Sequence, residues 1–136
     1  MKTNIKIILL IVTGVFLLTG CKKPQNNVTG GGKGGNGIIA VSPDHHGLLF
    51  DSCAIYIKYG TLDEPANGQY DDSILPPLPL IDDTVPVAVF RGLTPGLYYF
   101  YGVGYHAAYS VRVRGAVPFT KHKDDSSYVV VTTGDY

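Results

Sequence analysis

The chain has 136 residues, which is enough for one small domain. Its 45% apolar and 16% charged residues exclude a chain that is disordered throughout and a coiled coil. From Gly37 onward, six basic side chains stand against eleven acidic ones, a net charge of −5. Because a charge of that sign repels phosphate backbones, we expect no nucleic-acid partner.

Residues 1–20 have the pattern of an export signal. Lys2 and Lys6 precede 12 largely apolar residues, Ile7 to Leu18. At about 1.5 Å per residue this run spans about 18 Å, short of the roughly 30 Å hydrocarbon core that a transmembrane helix must cross. The segment is therefore predicted to export the chain without anchoring it.

Leu18-Thr19-Gly20-Cys21 follows the apolar run and resembles the lipobox of bacterial lipoproteins. The resemblance implies cleavage before Cys21, acylation of Cys21, and anchoring of the mature chain to a membrane of the cell envelope. The alternative is an ordinary signal peptide with a cysteine near its cut site. By resemblance to Gram-negative sorting signals, Lys22 favours the outer membrane over the inner membrane.

Cys53 is the only thiol that remains once Cys21 is lipidated, so no internal disulfide is expected. Because it lies in an apolar run, we interpret it as a small buried hydrophobic residue and not as a nucleophile.

Residues 21–36 form a predicted linker that starts at the lipidated cysteine. From Lys22 to Asn36, Val28 is the only large apolar side chain, which is typical of a flexible tether with a reach of roughly 20 Å. The glycine run from Gly30 to Gly35 follows no predicted strand and opens no predicted helix, so it is not a phosphate-binding loop.

Residues 37–136 are predicted to be one all-β domain, because short apolar runs with period two replace the spacing of amphipathic helices. The segment 61–84 is rich in proline and aspartate and is expected to pack partly against the domain. Six or seven short strands favour a β-sandwich. The expected strands are Gly37–Ser42, Ser52–Tyr59, Val85–Phe90, Gly96–Tyr105, Tyr109–Arg114, Val117–Thr120 and Ser127–Thr132.

Four segments carry a family resemblance: His45 to Gly47, Ala54 to Gly60, Val89 to Tyr105 and Val113 to Phe119. They resemble transthyretin-like domains, above all the carboxypeptidase-regulatory-like domains of small bacterial envelope lipoproteins. The step from Phe90 to Tyr98 matches that family's Phe-x-Gly-Leu-x-Pro-Gly-x-Tyr pattern. The resemblance implies a seven-stranded, immunoglobulin-like sandwich for adhesion, assembly or ligand display, and no enzymatic activity.

The same step has a local physical interpretation. Pro95 fixes φ at the first corner of a turn, and Gly96 accepts the positive φ that a type II turn requires. We therefore expect a type II turn there, with Phe90 and Leu93 buried on either side.

Five of the ten tyrosines lie within 12 residues. Exposed tyrosine is favoured at surfaces that bind sugars, peptides or proteins, whereas tyrosine also packs well on a pleated sheet. The candidate ligand-binding residues are Tyr98, Tyr99, Tyr101 and Tyr105.

Four histidines are the alternative site, since imidazole suits copper, nickel and zinc. The candidates are His45, His46, His106 and His122, and a metal site requires at least three of them to converge. The acidic pairs Asp71-Asp72, Asp82-Asp83 and Asp124-Asp125 could ligate calcium, but they match no EF-hand spacing and are equally typical of turns.

Two functions follow as expectations. The first is a non-enzymatic, lipid-anchored envelope protein whose sandwich binds a protein partner or a glycan and needs no cofactor. The second is an envelope lipoprotein that handles copper, nickel or zinc through its loop histidines. A hydrolase would need a nucleophile and a base within hydrogen-bond reach, and the sequence offers no such pair.

Overall fold

The computed structural model describes residues 28–136. The predicted export signal, Cys21 and the linker as far as Asn27 lie outside the described residues. Within residues 28–136 the fold is all-β, as predicted, and contains no helix, hence none that could cross a membrane. Its strands are β1 (Lys33–His45), β2 (Leu48–Leu49), β3 (Cys53–Tyr59), β4 (Asp72–Ile74), β5 (Leu80–Ile81), β6 (Val85–Pro86), β7 (Ala88–Leu93), β8 (Gly96–His106), β9 (Val111–Lys121), β10 (Ser126–Thr132) and β11 (Gly134–Asp135).

Two larger sheets make up most of the fold. In the first, β1 lies between β10, which runs parallel to it, and the antiparallel strands β7 and β2. In the second, the strand order is β11-β9-β8-β3-β4, and every pair is antiparallel. The strands β5 and β6 form a separate small ribbon.

Alternating side chains from both sheets meet in one core. Along β8 the even-numbered residues from Tyr98 to Gly102 are buried, whereas Tyr99 and Tyr101 face outward. Each fully buried Ile, Leu or Phe contributes about 1.5–3 kcal/mol of hydrophobic stabilisation. The core includes Ile39, Val41, Phe90, Leu93, Val129 and Val131 from the first sheet and Ile55, Ile57, Tyr98, Phe100 and Val113 from the second.

The first strand extends beyond the predicted Gly37–Ser42 at both ends. The first strand begins at Lys33, and the preceding glycines lie against the start of β8, where the amide of Leu97 donates to the carbonyl of Gly30 at 2.6 Å. A side chain on Gly31 would collide with the backbone of Leu97. The glycines therefore allow a close backbone approach, and the described part of the linker, from Val28, is no free tether.

The turn at Pro95-Gly96 also differs from the prediction. Gly96 has a φ of 159°, far from the value of about 80° that a type II turn requires. A Cβ on Gly96 would collide with Gly31. Glycine is needed at this position because the N-terminal segment packs onto it.

Two other differences concern strand boundaries. The expected strand Val85–Phe90 is divided between β6 and β7. The segments expected as separate strands at Tyr109–Arg114 and Val117–Thr120 form the single strand β9, because β9 pairs continuously with β8 from His106↔Val111 to Gly96↔Lys121. Residues 61–84 contain β4 and β5 and place Leu78 in the core, so this segment packs on the domain as expected.

Candidate functional site

Three strand ends bring histidines and an aspartate together at one end of the molecule. His45 closes β1, His46 follows in a tight turn with a φ of 54°, and His106 closes β8. Asp135 arrives in β11, which is held beside β1 because the amide and the hydroxyl of Thr133 both donate to the carbonyl of Asp44. We call His45, His46, His106 and Asp135 the histidine cluster.

The ring of His45 is hydrogen-bonded through both nitrogens. Its Nε2 lies 2.8 Å from Oδ1 of Asp135, and its Nδ1 lies 3.0 Å from Nδ1 of His106. A carboxylate only accepts, so Nε2 of His45 donates to Asp135. When His45 is neutral its Nδ1 must therefore accept, and His106 donates. The two rings cannot both carry a proton on Nδ1 in this arrangement.

Aromatic rings enclose the buried part of the cluster. His45 is 1% exposed and His106 is 6% exposed, and Phe50 stacks on His106 with ring centroids 4.6 Å apart. Tyr109 lies 4.9–5.3 Å from all three histidine rings, centroid to centroid. Burial, followed by the nearby His45 and His46, lowers the pKa of His106.

Three members of the cluster are placed to hold one ion. His45, His46 and Asp135 each offer one ligand atom, and these three atoms lie within 4.8 Å of one another. Two of the donors, His46 and Asp135, are exposed, so the site is open to solvent on one side. Of the other two histidines named from the sequence, His106 is hydrogen-bonded to Nδ1 of His45. His122 lies outside the cluster.

His122 follows the last residue of β9, whereas the histidine cluster lies beside the first. Eleven residues at about 3.3 Å each separate the two ends by roughly 35 Å. The sequence could supply four imidazoles, but the strand directions bring only three of them together.

A second candidate site covers the outer face of the second sheet. Tyr101 packs beside Tyr56 of β3, and Tyr70 stacks on Tyr101 with ring centroids 5.8 Å apart and an interplanar angle of 15°. Tyr99 lies on the same face of β8. We call Tyr56, Tyr70, Tyr99 and Tyr101 the tyrosine surface.

The tyrosines named from the sequence divide between the two faces of β8. Tyr99 and Tyr101 are half-buried on the outer face, and Tyr105 is 48% exposed near the end of the strand. Tyr98 points the other way, is 0% exposed, and donates its hydroxyl to the carbonyl of Thr94. Its ring is therefore part of the core and cannot contact a ligand on the outer face.

Sequence reasoning missed Asp135, Tyr56 and Tyr70 as site residues. Asp135 is a single carboxylate near the end of the chain, without the pairing that drew attention to other aspartates. Tyr56 could have been found, since it alternates with core residues in the predicted second strand. Tyr70 carries no local signal, because it lies in a loop and reaches the surface only by tertiary contacts.

Two of the three acidic pairs contain a carboxylate that accepts structural hydrogen bonds, and Cys53 is buried. Asp71 accepts from the backbone of Tyr59 and from Lys58, and Asp124 accepts from the backbone of Asn36. Burial raises the pKa of Cys53 to about 12, against the opposing effect of a backbone hydrogen bond from Val103. A thiol of that kind is not a nucleophile near neutral pH.

Comparisons with protein-family models, with curated proteins and with solved structures find no match to this chain.

Proposed function

We propose that the protein is a non-enzymatic, lipid-anchored envelope protein that binds a transition-metal ion in its histidine cluster. The observation that carries this proposal is the convergence of His45, His46 and Asp135 from positions up to 90 residues apart in the chain. The lipobox at Cys21 supports the anchor, and Lys22 supports an outer-membrane location. The two facing sheets and the Phe90–Tyr98 step support a seven-stranded transthyretin-like domain.

The donor set favours particular ions. Two imidazoles and one carboxylate suit copper, nickel and zinc, whereas calcium prefers sites made only of oxygen. A metal-binding histidine is usually oriented by a hydrogen bond from its second ring nitrogen. To bind an ion, Nε2 of His45 would give up the proton that it donates to Asp135, and Nδ1 would then carry the proton and donate to Nδ1 of His106, 3.0 Å away.

The first described glycines and the histidine cluster lie at opposite ends of the domain. Gly30 and Gly31 lie against the start of β8, and β1 then runs for 13 residues to His45. At about 3.3 Å per residue that path is roughly 40 Å long. A domain tethered through Cys21 would therefore present its histidine cluster away from the membrane.

A metal titration of the melting temperature tests the proposal. Residues 22–136 contain the whole described fold and can be titrated with Cu²⁺, Ni²⁺, Zn²⁺ and Ca²⁺. An ion at 100 times its dissociation constant stabilises the folded state by about 2.7 kcal/mol, which raises the melting temperature of a domain of this size by about 10–20 °C. We expect this from at least one transition metal and not from Ca²⁺.

The variants His46→Ala and Asp135→Ala remove exposed donors and leave the core intact. Both should abolish the metal-induced shift, whereas the matched control His122→Ala should retain it. The proposal fails if no transition metal changes the melting temperature, or if the two cluster variants respond like the control.

A second candidate function is binding of a protein partner or a glycan at the tyrosine surface. The observation that favours it is the contact among Tyr56, Tyr70 and Tyr101 on a solvent-facing sheet, since aromatic residues dominate binding surfaces. Tyr101→Ala should weaken such binding and leave any metal response unchanged, which separates the two functions.

A further inference from the structure

The tyrosine surface is built as a ridge between two grooves. One groove, about 370 Å³ in volume, is lined by Tyr99 and Tyr101 together with Glu64 and Arg114. The other, about 390 Å³, is lined by Tyr56 and Tyr70 together with Asp71 and Asp72. Each groove is thus lined by one ring of the stacked pair Tyr70–Tyr101. We call the groove that Tyr101 lines the Tyr101 groove.

The Tyr101 groove exists because the neighbouring strand carries a small residue beside the ring. Tyr101 of β8 lies directly opposite Ala116 of β9. A strand neighbour of ordinary size at position 116 would cover the ring, since side chains directly opposite each other in antiparallel strands are in contact. Ala116 leaves the flank of Tyr101 open, whereas Gly115 lines the groove with its backbone only, since a side chain there would point towards Thr132.

The ridge is held in place before any ligand arrives. The loop that carries Tyr70 is fixed to β3, because the amide of Asp71 donates to the carbonyl of Ile57 at 2.9 Å. The carboxylate of Asp71 in turn accepts from the amide of Tyr59 at 2.7 Å and from Lys58 at 3.0 Å. A surface with pre-ordered rings loses less conformational entropy on binding.

The polar groups of the Tyr101 groove have opposite charges. Glu64 offers carboxylate acceptors and Arg114 offers guanidinium donors, and no ion pair joins them in the part of the chain that the structure describes. The two charged residues that line the groove have opposite signs, so the lining itself has no net charge. Such a groove matches an uncharged ligand that has an apolar face and both donating and accepting groups.

We infer that the Tyr101 groove binds a neutral glycan. A pyranose ring presents C–H groups on one face, which pack on tyrosine, and hydroxyl groups at its edge, which donate to Glu64 and accept from Arg114. The stacked ridge and the second groove beyond it extend the surface past a single sugar unit. This inference deepens the second candidate function and rests on it.

The test is titration with neutral oligosaccharides: cellohexaose, xylohexaose, maltohexaose, mannohexaose and laminarihexaose. Because the chain has no tryptophan, binding can be followed by tyrosine emission, with calorimetry as the second readout. We expect at least one of the five to bind. Tyr101→Ala and Ala116→Leu, the second of which fills the groove, should each weaken that binding about tenfold or more.

The control is Tyr128→Ala, which removes an exposed tyrosine from the other sheet and should leave binding unchanged. The melting temperature of each variant shows whether it is folded. Binding that survives Ala116→Leu in a folded protein overturns the inference, and so does the failure of all five oligosaccharides.

A tetralysine peptide distinguishes failure of the glycan inference from failure of the second candidate function. If the peptide binds where the oligosaccharides do not, and Glu64→Gln abolishes its binding, the surface takes cationic peptides and only the glycan inference is overturned. If neither the oligosaccharides nor the peptide binds, the second candidate function is overturned as well.

Discussion

Replacement of Tyr98 by phenylalanine tests how firmly the N-terminal glycine segment belongs to the domain. The hydroxyl of Tyr98 donates to the carbonyl of Thr94 at 2.5 Å and accepts from the amide of Gly32 at 3.0 Å. Phenylalanine keeps the ring and therefore the apolar burial. The variant Tyr98→Phe removes only the oxygen that joins the glycine segment to the turn before β8.

The expected cost follows from the two groups that lose their partner. An amide or carbonyl left without a partner in a buried position costs about 1–3 kcal/mol, and the contact here is only partly buried, so we expect about 1–2 kcal/mol. In a domain of this size that loss lowers the melting temperature by roughly 4–16 °C. Thermal unfolding followed by circular dichroism measures it.

A matched control is Tyr105→Phe, since Tyr105 is exposed and its hydroxyl has no protein partner within residues 28–136. Hydrogen exchange at the amides of Gly32 and Leu97 gives a local readout and should accelerate in Tyr98→Phe alone. Equal melting temperatures for the two variants would refute the view that this hydroxyl fixes the segment.

Three further predictions concern ionisable groups. In residues 22–136, where Cys53 is the only cysteine, burial raises the pKa of its thiol to about 12, so a disulfide reagent at pH 8 should react only after denaturant is added. Although burial opposes it, the hydrogen bonds from Tyr59 and Lys58 lower the pKa of Asp71 below its usual 3.8. Its carboxylate therefore stabilises the fold above about pH 4 and loses that effect as the pH falls through the lowered pKa, so Asp71→Asn should destabilise the protein in urea at pH 7 and much less at pH 2. Burial, with Glu64 nearby, raises the pKa of Tyr70 to about 12, and Glu64→Gln should lower it in a titration of labelled tyrosine rings by NMR.

The strands that could be predicted are those whose side chains alternate in one short window. The prediction of Ser52–Tyr59 matches β3 within one residue, and Gly96–Tyr105 matches β8 within one residue. Both segments carry large apolar residues on one face, so the pleat of a half-buried strand is visible in the sequence. The all-β class followed from several such windows.

The glycine-rich start of β1 could not be predicted in the same way. A glycine has no side chain whose burial would reveal its position, so composition alone indicates a flexible linker. What orders Gly31 is the backbone of Leu97, more than 60 residues further along the chain, together with the absence of a side chain on Gly96. Only the assembled sheet shows that the glycines are required for close packing.

The types of residue that form the two sites could be predicted from the sequence. Which individual residues join each site could not. Histidine and tyrosine are informative residues wherever they occur, and the sequence named most of the cluster and half of the tyrosine surface. Whether His106 or His122 lies beside His45 depends on which end of β9 is near β1, and that is decided by the pairing of whole strands. Asp135 and Tyr70 join their sites through long-range contacts that leave no local pattern.

The strand β8 connects the two candidate sites and also keeps them separate. Its even-numbered residues point inward, so His106 shares a face with Tyr98 and Phe100, whereas Tyr99 and Tyr101 point outward. A register shift of one residue would exchange these faces and destroy the core and both sites together. Because the sites lie on opposite faces of β8, and Tyr101 is five residues or about 16 Å from His106, substitutions in one should not alter binding at the other. Metal and oligosaccharide titrations of the same variants can therefore be interpreted independently.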